Sequence, residues 1–309
     1  MPLSDNSKGA LLMMGSMTAF TVNDTFMKAL SGDLPLAQAI FLRGLATTVL
    51  IFLLARALGQ LRLRLPRRDA GLLALRTGAE ICAVYFFLTA LFNMPLANAT
   101  AILQALPLAV TLTGALVFRE RIGWRRLTAI LVGFAGVLLI VRPGTEGFTV
   151  YSLYVLGAVA CVTARDLAVR RMSGALPSLT VAFVAAFGVT ATFGLVAAFQ
   201  PWHPVSPGAA ALLIAAGLSI LLAYILSVAT MRVGEIAVVA PFRYTGLVVA
   251  LVLGYAVFGD WPAPLTLLGA ALVVATGVFT LWRERQIARA APTPPEAAKP
   301  RVDTTPDSL

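Results

Sequence analysis

The feature of this chain that most limits its fold is a series of long apolar segments. A helix needs about 20 mostly apolar residues to cross ~30 Å of hydrocarbon. Ten segments of this kind lie at about 9–30, 36–56, 70–91, 96–118, 124–142, 150–169, 178–199, 208–231, 236–258 and 264–282. Apolar residues fill nearly every position, whereas the strands of an outer-membrane barrel alternate apolar with polar residues. The sequence therefore predicts an all-α membrane protein with ten transmembrane helices, which we number one to ten.

The composition agrees with this prediction and excludes several other classes. Of the 309 residues, 59% are apolar and 12% are charged, whereas about a quarter of a soluble domain is charged. The two cysteines are too few for a disulfide framework. We find no phosphate-binding loop, nucleophile motif or metal-ligand spacing, so we expect no enzyme, no cofactor and no metal.

The positive charges carry information about topology. The net charge is +10, which in a soluble chain would indicate a nucleic-acid partner. Here the joints after predicted helices two, four, six and eight hold Arg56, Arg62, Arg64, Arg67, Arg68, Arg119, Arg121, Arg125, Arg126, Arg170, Arg171 and Arg232. The loops on the opposite side of the membrane, after predicted helices one, three, five, seven and nine, contain Arg142 alone. Because arginine and lysine concentrate in cytoplasmic loops, we expect both termini on the cytoplasmic side of the membrane and no nucleic-acid partner.

The two halves of the chain match each other at one nearly constant offset. The matches pair residues 114–122 with 254–262, Asp24 and Lys28 with Asp166 and Arg170, and Gly136 with Gly277, at offsets of 140, 142 and 141. A constant offset indicates an internal repeat. The alternative is chance, because short strings rich in Ala, Leu and Val match easily.

A repeat of five helices has an odd number of crossings, so the second half enters the membrane from the opposite side. The predicted fold is therefore two inverted five-helix repeats. Residues 1–145 form the first repeat with helices one to five, and residues 146–285 form the second with helices six to ten. Residues 286–309 form a disordered cytoplasmic tail, since they contain no apolar run to bury. Inverted repeats are typical of secondary carriers, whose site lies near the membrane midplane.

Charged side chains inside the apolar segments are the candidates for that site. Each one costs at least a few kcal/mol at bilayer depth unless it is paired or faces water. Pro107 and Pro241 interrupt helices four and nine, which is tolerated where the freed backbone groups face a cavity. The candidate substrate-binding or gating residues are Asn23, Asp24, Arg43, Glu80, Asn98, Gln104, Arg165, Asp166, Arg243 and Tyr244.

The roles of these charges have alternatives at this point. Asp24 and Arg43 lie at similar depth in the membrane. They either form a structural pair that holds two helices together or belong to an outer gate or substrate site. Arg76 and Glu80 stand four residues apart on one helix. They either pair along its face, or Glu80 is a carboxylate that binds a cationic group or a proton.

The pattern as a whole resembles a known family. Phe118-Arg119-Glu120-Arg121 ends helix four, and glycines mark helices five and ten. With ten helices in two halves, this resembles the EamA branch of the drug/metabolite transporter superfamily over about residues 8–285. Asn23-Asp24 with Lys28, Phe41-Leu42-Arg43 and Ala240–Tyr244 resemble the S-adenosylmethionine uptake carriers of that branch. Glu80 and Thr245-Gly246 depart from that subgroup, and riboflavin carriers and amino-acid exporters share the same frame.

The resemblance implies a secondary transporter in the lipid bilayer of a bacterial inner membrane that works by alternating access. Its expected substrate is a small polar metabolite, zwitterionic or cationic, with S-adenosylmethionine as one candidate. Protons are the candidate coupling ion, and a homodimer is the candidate assembly. The alternatives are a riboflavin or amino-acid carrier of the same fold, a membrane receptor or structural protein that transports nothing, and a passive channel.

Overall fold

The computed structural model describes residues 4–61, 65–119, 123–144, 148–173, 176–233 and 236–290. All regular structure in these ranges is helical. Two 3₁₀ helices occupy Leu30–Gly32 and Ala240–Tyr244. The α-helices are α1 (Asp5–Ala29), α2 (Leu36–Ala57), α3 (Arg67–Asn93), α4 (Leu96–Leu103), α5 (Leu106–Phe118), α6 (Trp124–Val141), α7 (Val150–Arg171), α8 (Ser178–Ala198), α9 (Pro207–Val233), α10 (Ile236–Val239), α11 (Thr245–Phe258) and α12 (Pro264–Ala290).

Each of the ten predicted segments coincides with helical structure. Within the described ranges, nine spans are long and apolar enough to cross a membrane. The tenth is α1, whose apolar run is interrupted by polar residues such as Asn23 and Asp24. The predicted fold class, an all-helical protein with many membrane spans, is confirmed.

The α-helix is interrupted in spans four and nine. α4 ends at Leu103, a turn follows at Gln104 and Ala105, and α5 begins with Pro107 in its first turn. Proline fits there because the first backbone N–H groups of a helix have no partner inside it. In span nine the 3₁₀ helix with Pro241 leads into α11. The two breaks fall at corresponding places in the two halves of the chain.

The packing of the helices follows the repeat. α1 packs mainly on α9, and α7 packs mainly on α3. Exchanging the two halves turns span one into span six and span eight into span three, so the first contact becomes the second. α2 with α8, and α6 with α12, are pairs that the exchange maps onto themselves. Where α2 meets α8, the hydroxyl oxygens of Thr48 and Thr190, 142 residues apart, are 3.0 Å from each other.

The bundle has two ends that differ in charge. The end where α2 and α3, α5 and α6, and α7 and α8 are joined we call the basic end, since Arg67, Arg68, Arg125 and Arg171 lie there. The opposite end we call the far end. Ten spans return the chain to its starting side, so α1 begins and α12 ends at the basic end. Of the residues in the predicted topology and repeat, Arg62, Arg64 and residues 120–122 lie outside the described ranges.

The outer surface of the bundle is apolar, as a lipid environment requires. Leu116, Leu131, Val248 and Val252 are each at least 59% exposed. An apolar surface of this extent is unfavourable in water and marks contact with a partner or a membrane.

The predicted boundary of the tail needs a correction. α12 continues through Ala290, so residues 286–290 are helical and belong to the last helix. The segment from Arg283 to Ala290 is rich in strong helix formers such as Arg, Glu, Gln and Ala. Arg283 Nη1 also donates to Gln286 Oε1 at 2.7 Å. Residues 291–309, the remainder of the predicted tail, lie outside the described ranges.

The crossing of α6 with α12 gives a first prediction. A Cβ atom on Gly136 would lie 2.8 Å from the carbonyl oxygen of Gly269. Since backbone cannot give way easily, Gly136→Ala is expected to cost about 1–3 kcal/mol of stability, seen as a lower melting temperature of the purified protein in detergent. Gly217→Ala on α9 is the control, because its Cβ meets no atom within 4 Å. Equal melting temperatures for the two variants would contradict the close crossing.

Candidate functional site

A cavity of about 810 Å³ lies between the two halves of the bundle, within the usual range for small-molecule sites. Both helix breaks contribute to its wall: Gln104 and Leu106 from span four, and Arg243 and Gly246 from span nine. Discontinuous helices in corresponding positions of two repeats commonly mark the binding site of a carrier. The cavity is therefore the candidate functional site.

Most of the residues expected from the sequence meet in this cavity. Those in its wall are Asn23, Asp24, Arg43, Glu80, Gln104, Arg165, Asp166 and Arg243. Asn98 and Tyr244 are not among the lining residues. Tyr244 is 5% exposed, and its hydroxyl group packs against Gly277 of α12. The phenol of Tyr244 therefore fills a space between helices that is open because Gly277 has no side chain.

Four charged side chains form one cluster, which we call the Glu80 network. Arg165 Nη1 lies 3.0 Å and 3.3 Å from the two carboxylate oxygens of Glu80. Arg165 Nε also bonds Asp166 Oδ1 at 2.9 Å. Arg76 Nη2 lies 3.7 Å from Glu80, as the helical spacing predicts. The network joins α3 to α7 and contains two positive and two negative charges, so its formal charge is zero.

Asp24 and Arg43 are linked through a third side chain. Asn23 Nδ2 donates to Asp24 Oδ1 at 2.9 Å, and Asn23 Oδ1 accepts from Arg43 Nη1 at 3.2 Å. No ion pair within 4 Å joins Asp24 to Arg43 in the described part of the chain. Asn23 is 2% exposed and holds both groups in place. A carboxylate and a guanidinium group thus stand in the cavity wall without neutralising each other directly.

Arg243 has no partner of this kind. In the described ranges it makes no hydrogen bond and no ion pair within 4 Å. Asp166 is the carboxylate that acts on it most strongly through space, but Asp166 is already bonded to Arg165. Arg243 therefore brings a positive charge into the cavity that the surrounding side chains leave uncompensated.

Two lining residues outside the predicted set add to the site. Tyr224 of α9 lines the cavity and meets Phe20 of α1 edge-on, with ring centroids 5.5 Å apart. Thr21 of α1 lines it as well and donates to the carbonyl oxygen of Gly246 at 3.3 Å. Neither has a charge or a motif that would single it out among the many aromatic and hydroxyl residues of the helices.

The two ends of the cavity are built from corresponding residues. At the far end, Lys28 lies 5.3 Å from the ring centroid of Phe258. At the basic end, Arg170 lies 5.8 Å from the ring centroid of Phe118. Exchanging the two halves converts span one into span six and span nine into span four. Lys28 therefore corresponds to Arg170, and Phe258 corresponds to Phe118. We call these pairs the far latch and the basic latch.

Both latch contacts are formed, but their surroundings differ. Lys28 Nζ also donates to the carbonyl oxygens of Leu91 and Met94, at 3.3 Å and 2.8 Å. Around it lies a layer of buried apolar side chains that closes the far end: Met27, Leu30, Leu34, Leu91 and Leu96, each at most 4% exposed. At the other end Val169 and Arg170 are exposed and line the cavity. The cavity is thus sealed at the far end and reaches the basic end.

These features define a class of protein: a helical membrane protein with two repeats around a charged, one-sided cavity. The family comparison agrees. The family described as "EamA-like transporter family" matches the chain twice, at residues 7–142 and 149–282. The chain belongs to the EamA-like transporter family, so it is a small-molecule transporter, and the resemblance stated from the sequence is confirmed.

Several transporters are similar to the chain over much of its length. A riboflavin transporter of Vibrio cholerae is 29% identical over 293 residues, which cover 91% of this chain and 97% of that protein. A pseudopaline exporter of Pseudomonas aeruginosa is 31% identical, with 86% of this chain and 93% of that protein covered. An S-adenosylmethionine uptake transporter of Rickettsia prowazekii is 27% identical, with 62% and 65% covered.

One solved crystal structure has the same overall fold. It superposes with a TM-score of 0.62 at 21% sequence identity, covering 91% of this chain and 99% of the other. At that identity the likeness concerns the fold alone.

The Glu80 network gives a second prediction. Glu80→Gln leaves Arg165 and Arg76 facing each other without their shared carboxylate, and breaking a buried pair on one side costs about 3–5 kcal/mol. Arg165→Gln alone is also destabilising. In the double variant both charges are gone, so we expect its loss of stability to be smaller than the sum of the two single losses. The measurement is a double-mutant cycle of melting temperatures in detergent.

The pair Asp5 and Lys8 at the start of α1 is the matched control for this cycle. These residues lie 3.3 Å apart and are largely exposed, so their cycle should show no measurable coupling. Additive losses at Glu80 and Arg165 would show that the two side chains act independently, which would contradict the network.

Proposed function

We propose that this protein is a secondary transporter that moves a small polar metabolite, zwitterionic or cationic, across a bacterial inner membrane by alternating access. The observation that carries the proposal is the charged cavity at the breaks of spans four and nine. Charges are expensive inside a membrane and persist there where they serve a pathway or a site. The aromatic residues of the wall, such as Phe20, Phe87 and Tyr224, provide a surface for the uncharged part of a metabolite.

The two latches support alternating access as the mechanism. They are related by exchange of the repeats; the far latch lies in the closed end of the cavity, and the basic latch lies beside its open end. Rocking of residues 1–145 against residues 146–285 would exchange these states and expose the cavity at the far end. The sealed far end also argues against a passive channel, which needs a path open at both ends at once.

The similar proteins support a metabolite as cargo and differ in which one they carry. Their names specify riboflavin, pseudopaline and S-adenosylmethionine. Two of the names state a direction, one uptake and one export. Under our proposal S-adenosylmethionine, riboflavin and amino acids are the first solutes to test. Protons as the coupling ion, a homodimer and cytoplasmic termini remain predictions.

Transport itself is the third prediction. Purified protein in sealed vesicles preloaded with one of these solutes should take up the labelled form by counterflow that saturates with concentration. A carrier must exchange in this way because its loaded site reorients. Vesicles with the Asp24→Asn variant, in which the carboxylate is lost and the shape is kept, should show a reduced rate. Flux that never saturates would indicate a channel, and no flux of any solute would indicate a receptor or structural protein.

The far latch gives a fourth prediction. The free cysteines Cys82 and Cys161 are replaced by alanine, and Val84→Cys places one thiol in the cavity wall. A membrane-impermeant thiol reagent should label it from the basic end. Lys28→Met removes two hydrogen bonds and a cation–π contact, so labelling from the far end should rise about fivefold.

Lys8→Met is the control for this experiment, since Lys8 lies in the exposed first turn of α1. It should leave labelling from both ends unchanged. If Lys28→Met also leaves far-end labelling unchanged, the far latch does not hold the cavity closed.

A further inference from the structure

A second recess lies at the basic end, beside the open end of the central cavity. It is an open groove of about 750 Å³ that α7 forms with α3 and α5. Four exposed arginines line it, two at the start of α3 and two at the end of α7: Arg67, Arg68, Arg170 and Arg171. No carboxylate is found among the described residues of its wall. We call this recess the arginine groove.

The carboxylate nearest in sequence to these arginines is bonded elsewhere. Asp69 follows Arg68 directly, but it is 5% exposed. Its oxygens accept hydrogen bonds from the backbone N–H and the hydroxyl group of Ser173, at 3.3 Å and 2.8 Å. In the ranges that the structure describes, none of the four arginine side chains forms a hydrogen bond or an ion pair within 4 Å. A groove lined by charges of one sign attracts a counter-ion.

Two of the guanidinium groups are held against an aromatic ring. Arg170 and Arg171 lie 5.8 Å and 5.3 Å from the ring centroid of Phe118. Arg170 also lies close to α5 because Gly114 has no side chain: a Cβ atom there would be 3.1 Å from Arg170 Nη1. Since the ring contact is not a hydrogen bond, the N–H donors of both groups stay available to a ligand. Guanidinium donors of this kind bind phosphate oxygens in pairs.

The arginine groove adjoins the lipid-facing surface of the bundle. Gly71 lines the groove one turn into α3, and a Cβ atom added there would meet no atom within 4 Å. One turn farther along the same face, Leu75 is 57% exposed. Next to Phe118, Val117 is 42% exposed. A phosphate group among the arginines would therefore have an exposed apolar surface beside it, on which acyl chains can lie and which a soluble anion would not use.

We infer that the arginine groove binds an anionic phospholipid of the leaflet at the basic end. The arginines hold its phosphate group, and its acyl chains lie along Leu75 and Val117. Basic pockets between transmembrane helices bind anionic headgroups in this way. A charge difference between the two membrane sides explains why arginines occur at this end, but not why four of them share one groove. Arg125, at the same end, instead lies 5.3 Å from the ring of its neighbour Trp124.

Native mass spectrometry of the full chain in a neutral detergent tests the site. Phosphatidylglycerol should bind roughly tenfold more tightly than phosphatidylcholine, whose headgroup has no net charge. The double variant Arg67→Gln with Arg68→Gln should lose most of this preference, because half of the groove's charge is gone. Arg67→Lys with Arg68→Lys should retain most of it. Unchanged preference in the glutamine variant would overturn the site.

The matched control is Arg56→Gln with Arg125→Gln. These two arginines are exposed at the same end and are not among the described lining residues of the groove, so their loss changes the net charge by the same amount. The control should bind phosphatidylglycerol as the unmodified protein does. Equal losses in the two glutamine variants would show that the lipid follows net charge alone, and the inference would be wrong.

A soluble phosphate compound is the other source of the same chemistry. Glycerophosphoglycerol is the headgroup of phosphatidylglycerol without its acyl chains, and at the concentration of the lipid it should not displace the bound lipid. Displacement by glycerophosphoglycerol or by inorganic phosphate at that concentration would show that the groove takes a soluble anion, which would contradict a lipid site. Lipid binding does not depend on transport, so neither result bears on the proposed function.

Discussion

The structure depends on the high cost of a bare charge in hydrocarbon. Each charge of the cavity wall is placed where another charge, an amide or open space receives it. Glu80 receives two arginines, Asn23 separates Asp24 from Arg43, and Arg243 faces the cavity. The outer surface meanwhile consists of residues such as Leu116 and Val252, which are compatible with lipid. The same constraint therefore produces both an apolar exterior and a charged interior compartment.

Under the proposed mechanism, the repeat allows this compartment to open at either end. Because the second half of the chain is inverted relative to the first, several features at one end have counterparts at the other. Lys28 with Phe258 corresponds to Arg170 with Phe118, and the broken spans four and nine correspond as well. The far end differs from the basic end in the two additional hydrogen bonds of Lys28, which under the proposed mechanism favour its closed state.

The spans were predictable from the sequence because a membrane helix is specified by local hydropathy over about 20 residues. The cost of intramembrane charge was enough to predict that one cavity is lined by Asp24, Arg43, Glu80 and Arg243. The pairing of Glu80 with Arg165, 85 residues away, depends on which helices pack together and has no local signal. For the same reason the place of Tyr244 against Gly277 could not be read from the sequence, since any aromatic residue beside Arg243 looks like a cavity liner. The end of α12 was placed too early because the apolar run stops before the helix does.

The central claim is that the two ends of the cavity open in alternation, and distances between spin labels test it most directly. One pair of labels at Asp33 and Trp261 spans the far end, and another at Ser178 and Trp124 spans the basic end; all four positions are exposed. In lipid nanodiscs, weakening the far latch by Lys28→Met should lengthen the far-end distance and shorten the basic-end distance in the same population. If the far-end distance grows while the basic-end distance stays the same, both ends are open together and alternating access is contradicted.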